Sequence, residues 1–212
     1  IYIGKAMPTV LLLGVMIVSS LIAGGIWGLI PAVFKARWNA NETLFTLMMN
    51  YIAIQLTSFF VAKWENPFGS NTVGIINQST KAGWFPSIFG QMYTLNLLIV
   101  AVLTVAMYLY LRYSKQGYEI AVVGESENTA RYAAINVRSV ITRTMTISGA
   151  ISGIAGFIAV AGASHTISTS TAGGRGFTAI IVAWLAKFNT FTMIAISALI
   201  VQWIRGKRPS VE

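Results

Sequence analysis

The chain has 212 residues, of which 55% are hydrophobic and only 10% charged. A soluble domain carries about 25% charged residues, so this composition excludes an ordinary soluble fold and points to a polytopic membrane protein whose length counts spans. The net charge of +9 does not indicate nucleic acid, because the basic residues cluster at the ends of apolar runs, where they face lipid headgroups. There is no Cys, which removes disulfides, thiol nucleophiles and Cys-based metal sites, and no Asp, which removes Asp-dependent acid–base and phosphoryl-transfer schemes. The chain opens on Ile1 rather than Met and reads as a fragment or a processed product.

Ala6 to Phe34 carries no charge and exceeds the length needed to cross a bilayer, so it spans with tilt or ends early near Pro31. It is too long for the apolar region of a signal peptide. Gly24 and Gly28 form a G-x-x-x-G spacing that admits a second helix at close range. Lys35, Arg37 and Trp38 mark an interface. Thr43 to Ala62 is a second span and contains Asn50 and Gln55. An amide in hydrocarbon needs a partner, so two roles fit these residues: helix–helix hydrogen bonding, or contact with solute along a water-filled path.

Lys63 to Gln91 is a connecting loop rich in turn residues, with Trp64, Trp84, Phe85 and Tyr93 suited to a membrane interface. Met92 to Leu111 is a third span. The stretch Gly124 to Val137 follows, holding Glu125, Glu127 and Arg131 in a chain otherwise nearly free of charge. Ser126 or Glu127 suits a helix start, and Asn128 to Ala134 can form about two turns. Its simplest reading is a solvated connector; the sharper one is a docking surface. Thr144 to about Gly162 is a fourth span, with Gly149, Gly153 and Gly156 favouring a tight helix pair.

Beyond Gly162 the pattern loses regularity. Gly173, Gly174, Arg175 and Gly176 precede an apolar run, Phe177 to Ala186, that is too short to cross, and Lys187 and Asn189 separate it from Thr190 to Ile204. This is one broken crossing or a re-entrant half-helix followed by a span. Irregular backbone at that depth belongs where it is buried in protein or lines a cavity, so the segment is a candidate pathway wall. Arg175 can bind an anion or anchor at headgroups. His165, the single histidine, has no carboxylate partner in any span and reads as packing. The fold class expected is all-α, a transmembrane bundle of about five spans plus a broken or re-entrant segment. Arg112, Lys115, Arg131, Arg138 and Arg143 crowd one connection and Lys35 and Arg37 another, while the Lys63–Gln91 loop is poor in cations; the positive-inside rule places the first two, and the basic tail after Arg205, in the cytoplasm.

Three blocks carry a resemblance. Gly-Glu-Ser-Glu-Asn-Thr-Ala-Arg-Tyr-Ala-Ala-Ile-Asn-Val at 124–137 resembles the cytoplasmic loop of ABC importer permeases of the ribose, nucleoside and branched-chain amino acid class. The block at 41–53 is similar to the subgroup served by basic membrane lipoproteins, whose cargo is usually a nucleoside, and 173–183 is similar to a third block. The resemblance covers most of residues 35–197. It implies a bacterial cytoplasmic-membrane, multi-pass permease, with residues 112–143 as the coupling loop inside a single, partial permease domain (1–212). The implied partners are an ATP-binding cassette ATPase, an extracytoplasmic binding lipoprotein, a second permease subunit and the bilayer. It places Gly124, Glu125, Asn128, Ala130, Arg131, Tyr132 and Ala133 at the ATPase. It also tips Asn50 toward the pathway, with Gln55, Gly173, Gly174, Arg175 and Phe177 as further candidates. No phosphate-loop motif, catalytic set, metal-ligand set or cofactor motif is legible, so ATP hydrolysis is expected on a separate subunit. A passive channel or secondary carrier is the alternative, although the spans lack the carboxylates expected of an ion-coupled pump. Family members are longer at both ends, so a complete pathway is expected to need residues or subunits beyond this chain.

Overall fold

The computed structural model describes residues 9–75, 83–85, 94–169, 171 and 173–206. Tyr93, Lys81 and the tail beyond residue 206 lie outside the described residues. Two compact units are distinguished, Ile1–Thr171 and Ala172–Glu212. The described elements are helical: α1 (Thr9–Trp38), α2 (Glu42–Trp64), α3 (Thr94–Tyr113), α4 (Lys115–Glu125), α5 (Glu127–Tyr132), α6 (Val137–Ala159) with a π-helical turn at Val160–Ser164, and, in the second unit, α7 (Arg175–Leu185) and α8 (Thr190–Gly206). Among the described residues four helices are long and apolar enough to cross a membrane, Leu11–Trp38, Glu42–Trp64, Thr94–Tyr113 and Val137–Ser164. The chain is an all-α membrane bundle, as its composition requires.

α1 and α6 make the most extensive helix pair among the described elements. Their contact is built on glycine. A Cβ on Gly28 would stand 2.7 Å from the Met145 carbonyl oxygen, and one on Gly149 would stand 2.9 Å from the Gly28 Cα. Gly24 and Gly153 meet the opposite backbone in the same way, so the glycine pairs of the two helices face each other. Where lipid is as apolar as any side chain, such backbone-to-backbone packing supplies the association. Gly156, one turn further along α6, has open space around it.

The α1–α2 corner is set by local chemistry. Asn39 takes a left-handed φ of 50°, and the Asn41 side chain accepts hydrogen bonds from the Thr43 and Leu44 N–H groups at 3.1 and 3.3 Å, capping α2. Phe34 and Phe45 stack across the corner with centroids 4.6 Å apart. The α3–α4 corner is equally tight: the Ser114 hydroxyl donates to the Tyr110 carbonyl at 2.6 Å and accepts from the Gly117 N–H at 2.9 Å. Gly117 abuts the Leu111 carbonyl so closely that no side chain fits there.

At the far end of α6 the helix widens. The Asn96 side chain of α3 donates to the Gly162 carbonyl at 2.8 Å and occupies the space a Cβ on Gly162 would need. The π turn thus sits where a side chain from another helix takes up one of its carbonyls. His165 leaves the turn with a left-handed φ of 51° and stacks flat on Trp84, centroids 3.9 Å apart and planes 9° apart. Phe85, expected at the interface, is buried against Phe157, with Met16 of α1 and Leu95 and Ile99 of α3 packed around the pair. Trp64 is exposed and stacks on Phe60.

In the second unit the break foreseen between the two short apolar runs is present. Lys187 and Phe188 take positive φ values of 49° and 59°, a conformation that ends α7, and the Asn189 carboxamide oxygen then accepts from the Phe191 N–H at 3.1 Å to start α8.

Candidate functional site

α1, α2 and α6 line an open cleft of 560 Å³. Each helix presents one face to it, at the i, i+3, i+4, i+7 spacing of an α-helical stripe. From α1 come Gly24, Trp27, Gly28 and Pro31; from α2, Thr46, Met49, Asn50 and Ala53; from α6, chiefly Met145, Ser148, Gly149 and Ser152. The glycines that pack α1 on α6 therefore also form one wall of the space, and α2 lines the other.

The polar groups of the wall differ in what they have left to offer. Thr46 donates to the Glu42 carbonyl at 2.8 Å, Thr144 to Val140 at 2.8 Å and Ser152 to Ser148 at 3.0 Å, each bond local to its own helix. The Asn50 side chain makes no hydrogen bond to a described residue. It brings two N–H donors and a carbonyl acceptor to a wall that is otherwise mostly apolar, the hydroxyls of Thr46, Thr144 and Ser152 being engaged within their own helices. The volume lies within the range of about 300–1,000 Å³ typical of small-molecule sites.

Gln55 is exposed and is not in the cavity wall; five residues beyond Asn50, it falls on a different face of α2. Gly173, Gly174, Arg175 and Phe177 belong to the second unit. Gly173 and Gly174 carry φ values of 50° and 70°, and Gly174 precedes α7 with its carbonyl accepting from the Phe177 and Thr178 N–H groups at 3.0 and 3.2 Å. Arg175 and Phe177, within the first turn of α7, are exposed.

The other candidate region is the α4–α5–α6 connection. Ser126 ends α4 and caps α5, accepting from the Thr129 N–H at 3.3 Å, while Asn136 caps α6 by accepting from Ser139 at 3.2 Å. Between these caps α5 is a single short helix closed by Ala134 at φ 56° and by the Ile135 N–H donating to the Ala130 carbonyl at 2.9 Å. Its two sides differ completely. Ala130 is 0% exposed and seats α5 on its own chain, whereas Tyr132 is 94% exposed. Gly124, Glu125, Asn128, Arg131 and Ala133 are exposed as well. Arg131 and Glu127, both partly open to solvent, stand 3.8 Å apart and line a cleft together with Lys35 and Arg37 at the end of α1. Beneath this, Arg143 of α6 donates to Glu119 of α4 at 3.0 Å, with both side chains largely withdrawn from solvent. This charge-assisted bond joins the connection to a membrane span.

Trp27, Ser148 and Ser152 were not singled out by composition or motif. Their signal is helical spacing: Trp27 shares the face of Gly24 and Gly28, and the two serines flank Gly149 on the face of α6 that meets them. Glu119 carried no such signal, since its partner lies in another helix.

The fold and these two regions define a multi-pass α-helical membrane protein with a largely apolar cleft, carrying one unengaged amide, between three spans and a short capped helix exposed beyond them. Residues 2–205 match the family described as branched-chain amino acid transport system / permease component, and the chain belongs to that family. It is 32% identical over 203 residues to the guanosine ABC transporter permease protein NupP of Bacillus subtilis, covering 93% of this chain and 58% of that protein. The glucose ABC transporter permease protein TsgB13 of Haloferax volcanii is 27% identical, with 93% and 54% covered, and the nucleoside ABC transporter permease protein NupB of Lactococcus lactis is 26% identical, with 96% and 58% covered. The chain thus spans a little over half the length of these relatives. No solved structure matches it significantly.

Proposed function

We propose that this chain is the membrane-spanning part of an ATP-driven importer of the bacterial cytoplasmic membrane, moving a nucleoside or similar small polar solute. The observation that carries the reading is α5: a helix capped at both flanks, seated by buried Ala130 and presenting an exposed aromatic and mixed charge. Exposed Tyr and Arg are residue types enriched at protein interfaces, and lipid does not accommodate such a face. Its occupant in this reading is the separate ATPase, on the cytoplasmic side assigned by the positive-inside distribution. Movement at α5 passes to α6 through the short connection at Asn136 and through Glu119–Arg143. An extracytoplasmic lipoprotein delivers the cargo, and a second permease subunit completes the assembly.

The cavity supports the cargo class. A nucleobase has π-faces and hydrogen-bonding edges, a combination met by the Trp27 indole and the Asn50 carboxamide, with Ser148 and Ser152 hydroxyls nearby for ribose. Gln55 and the Gly173–Phe177 turn remain candidates for other parts of the path. Reconstitution with the ATPase, the second permease subunit and the lipoprotein tests this: uptake of guanosine into proteoliposomes should require each of them, the lipoprotein on the outside. Uptake that persists without the ATPase points instead to a passive channel or secondary carrier.

A further inference from the structure

We infer that the junction of the basic end of α1 with α5 and the start of α6 binds one anionic glycerophospholipid of the cytoplasmic leaflet. The leaflet rests on the orientation proposed above. Two cavities of 670 and 440 Å³ adjoin here and share Ala36, Arg37, Asn136 and Arg138 in their walls. The smaller one is the charged end. Lys35, Arg37, Arg131 and Arg138 line it against the single carboxylate of Glu127. That carboxylate lies 3.8 Å from Arg131 and offsets one cation at most.

The larger cavity runs the other way. Leu29, Val33 and Ile147 line it together with Arg143, whose Nε is buried without a hydrogen-bond partner even though its terminal nitrogen is held by Glu119. Leu29 lies eight positions before Arg37 on the same helix, a rise of about 12 Å into the span. The site is therefore an apolar lane in the membrane that opens onto a cluster of cations at its surface. A phosphodiester with acyl chains matches both ends. A free anion leaves the lane empty, and a zwitterionic headgroup brings a further cation into the cluster. Each Lys or Arg near an anionic surface favours binding by an amount that makes two of them worth about thirtyfold, which is about 2 kcal/mol at 1.4 kcal/mol per tenfold. A lipid seated here touches both α1 and the entry to α6, so it bears on the same joint that carries α5.

Native mass spectrometry of the purified protein in mild detergent tests the assignment, with phosphatidylglycerol and phosphatidylcholine of identical acyl chains offered together. Phosphatidylglycerol should be retained in preference. Arg37→Gln combined with Arg138→Gln should weaken that retention about thirtyfold, whereas Lys63→Gln, exposed at the opposite end of α2, should leave it unchanged. Val33→Trp keeps every charge but fills the lane, and it too should lose the lipid. Equal retention of the two lipids, full displacement by millimolar inorganic phosphate, or undiminished retention in either groove variant overturns the proposal. The assay contains neither ATPase nor cargo, so a failure of the importer reading, seen as absent uptake, is distinguishable from a failure here.

Discussion

Replacing Gly149 by Ala isolates the contact on which the bundle and its cavity both depend. The added Cβ would lie 2.5 Å from the Gly24 carbonyl oxygen and 2.9 Å from the Gly28 Cα, against 3.4–4 Å for ordinary contact. Both obstacles are backbone, so no side-chain rotation relieves them, and α1 and α6 must part by roughly 0.5–1 Å. A gap of that size forfeits about a quarter to a half of each dispersion contact along the seam. Overpacking of this kind costs about 1–3 kcal/mol, and the gain in helix propensity from Gly to Ala returns only about 0.5–1 kcal/mol. We therefore expect a net loss of up to about 2.5 kcal/mol, and a gap of about 1–3 kcal/mol from a variant that has the propensity gain alone. Gly156→Ala, on the same helix but with nothing within 4 Å, has the propensity gain without the clash and should be neutral or stabilising. Reversible unfolding in mixed micelles, followed by circular dichroism, compares the two. If Gly149→Ala falls within about 0.5 kcal/mol of Gly156→Ala, smaller than any overpacking cost, the glycine seam does not hold the helices together as described.

Asn50→Leu should abolish guanosine uptake by the reconstituted assembly without changing the yield of folded protein, because it removes the cavity's unengaged amide while leaving a side chain of similar size; normal uptake removes Asn50 from the pathway. Glu119→Gln, which leaves Arg143 with a neutral partner, should cost about 1–3 kcal/mol in the same micelle unfolding assay, and a loss no larger than that of an exposed Glu125→Gln control contradicts a structural role for the bond. In intact cells, Ser126→Cys should resist a membrane-impermeant thiol reagent while Ser70→Cys labels; the reverse pattern inverts the orientation.

The sequence disclosed this molecule unevenly, for physical reasons. The four long spans were legible because lipid demands continuous apolar runs, and the α7–α8 break because Lys187 and Asn189 interrupt one. The glycine spacings in the first and fourth spans each announced a close helix contact, but that they meet each other is a tertiary fact with no local signature. α4 was not foreseen as a helix, since Gly117 and Gly124 and the paired Val122 and Val123 disfavour one. It is set by the Ser114 cap, by the fit of Gly117 against Leu111 and by Arg143 on α6. The same distance effect hid the π turn, which coincides with the contact from Asn96 on another helix. Charge and a helix-start signal in the 124–137 stretch suggested a docking surface, and burial sorts its residues: Ala130 faces inward, while Arg131, Tyr132 and Ala133 are exposed.

The account turns on α5 as the seat of a separate ATPase, and Ala133→Arg addresses that directly. Ala133 is exposed at the end of α5, away from the membrane spans, so the substitution adds bulk and charge to the outer face without disturbing the buried Ala130 side. The measurement is the amount of ATPase that copurifies with the permease, normalised to permease recovered. The account predicts a loss of at least about tenfold, equivalent to about 1.4 kcal/mol of binding, with insertion and lipoprotein binding retained. An unchanged ratio, together with normal ATP-dependent uptake, would make α5 a mere connector and contradict the central claim.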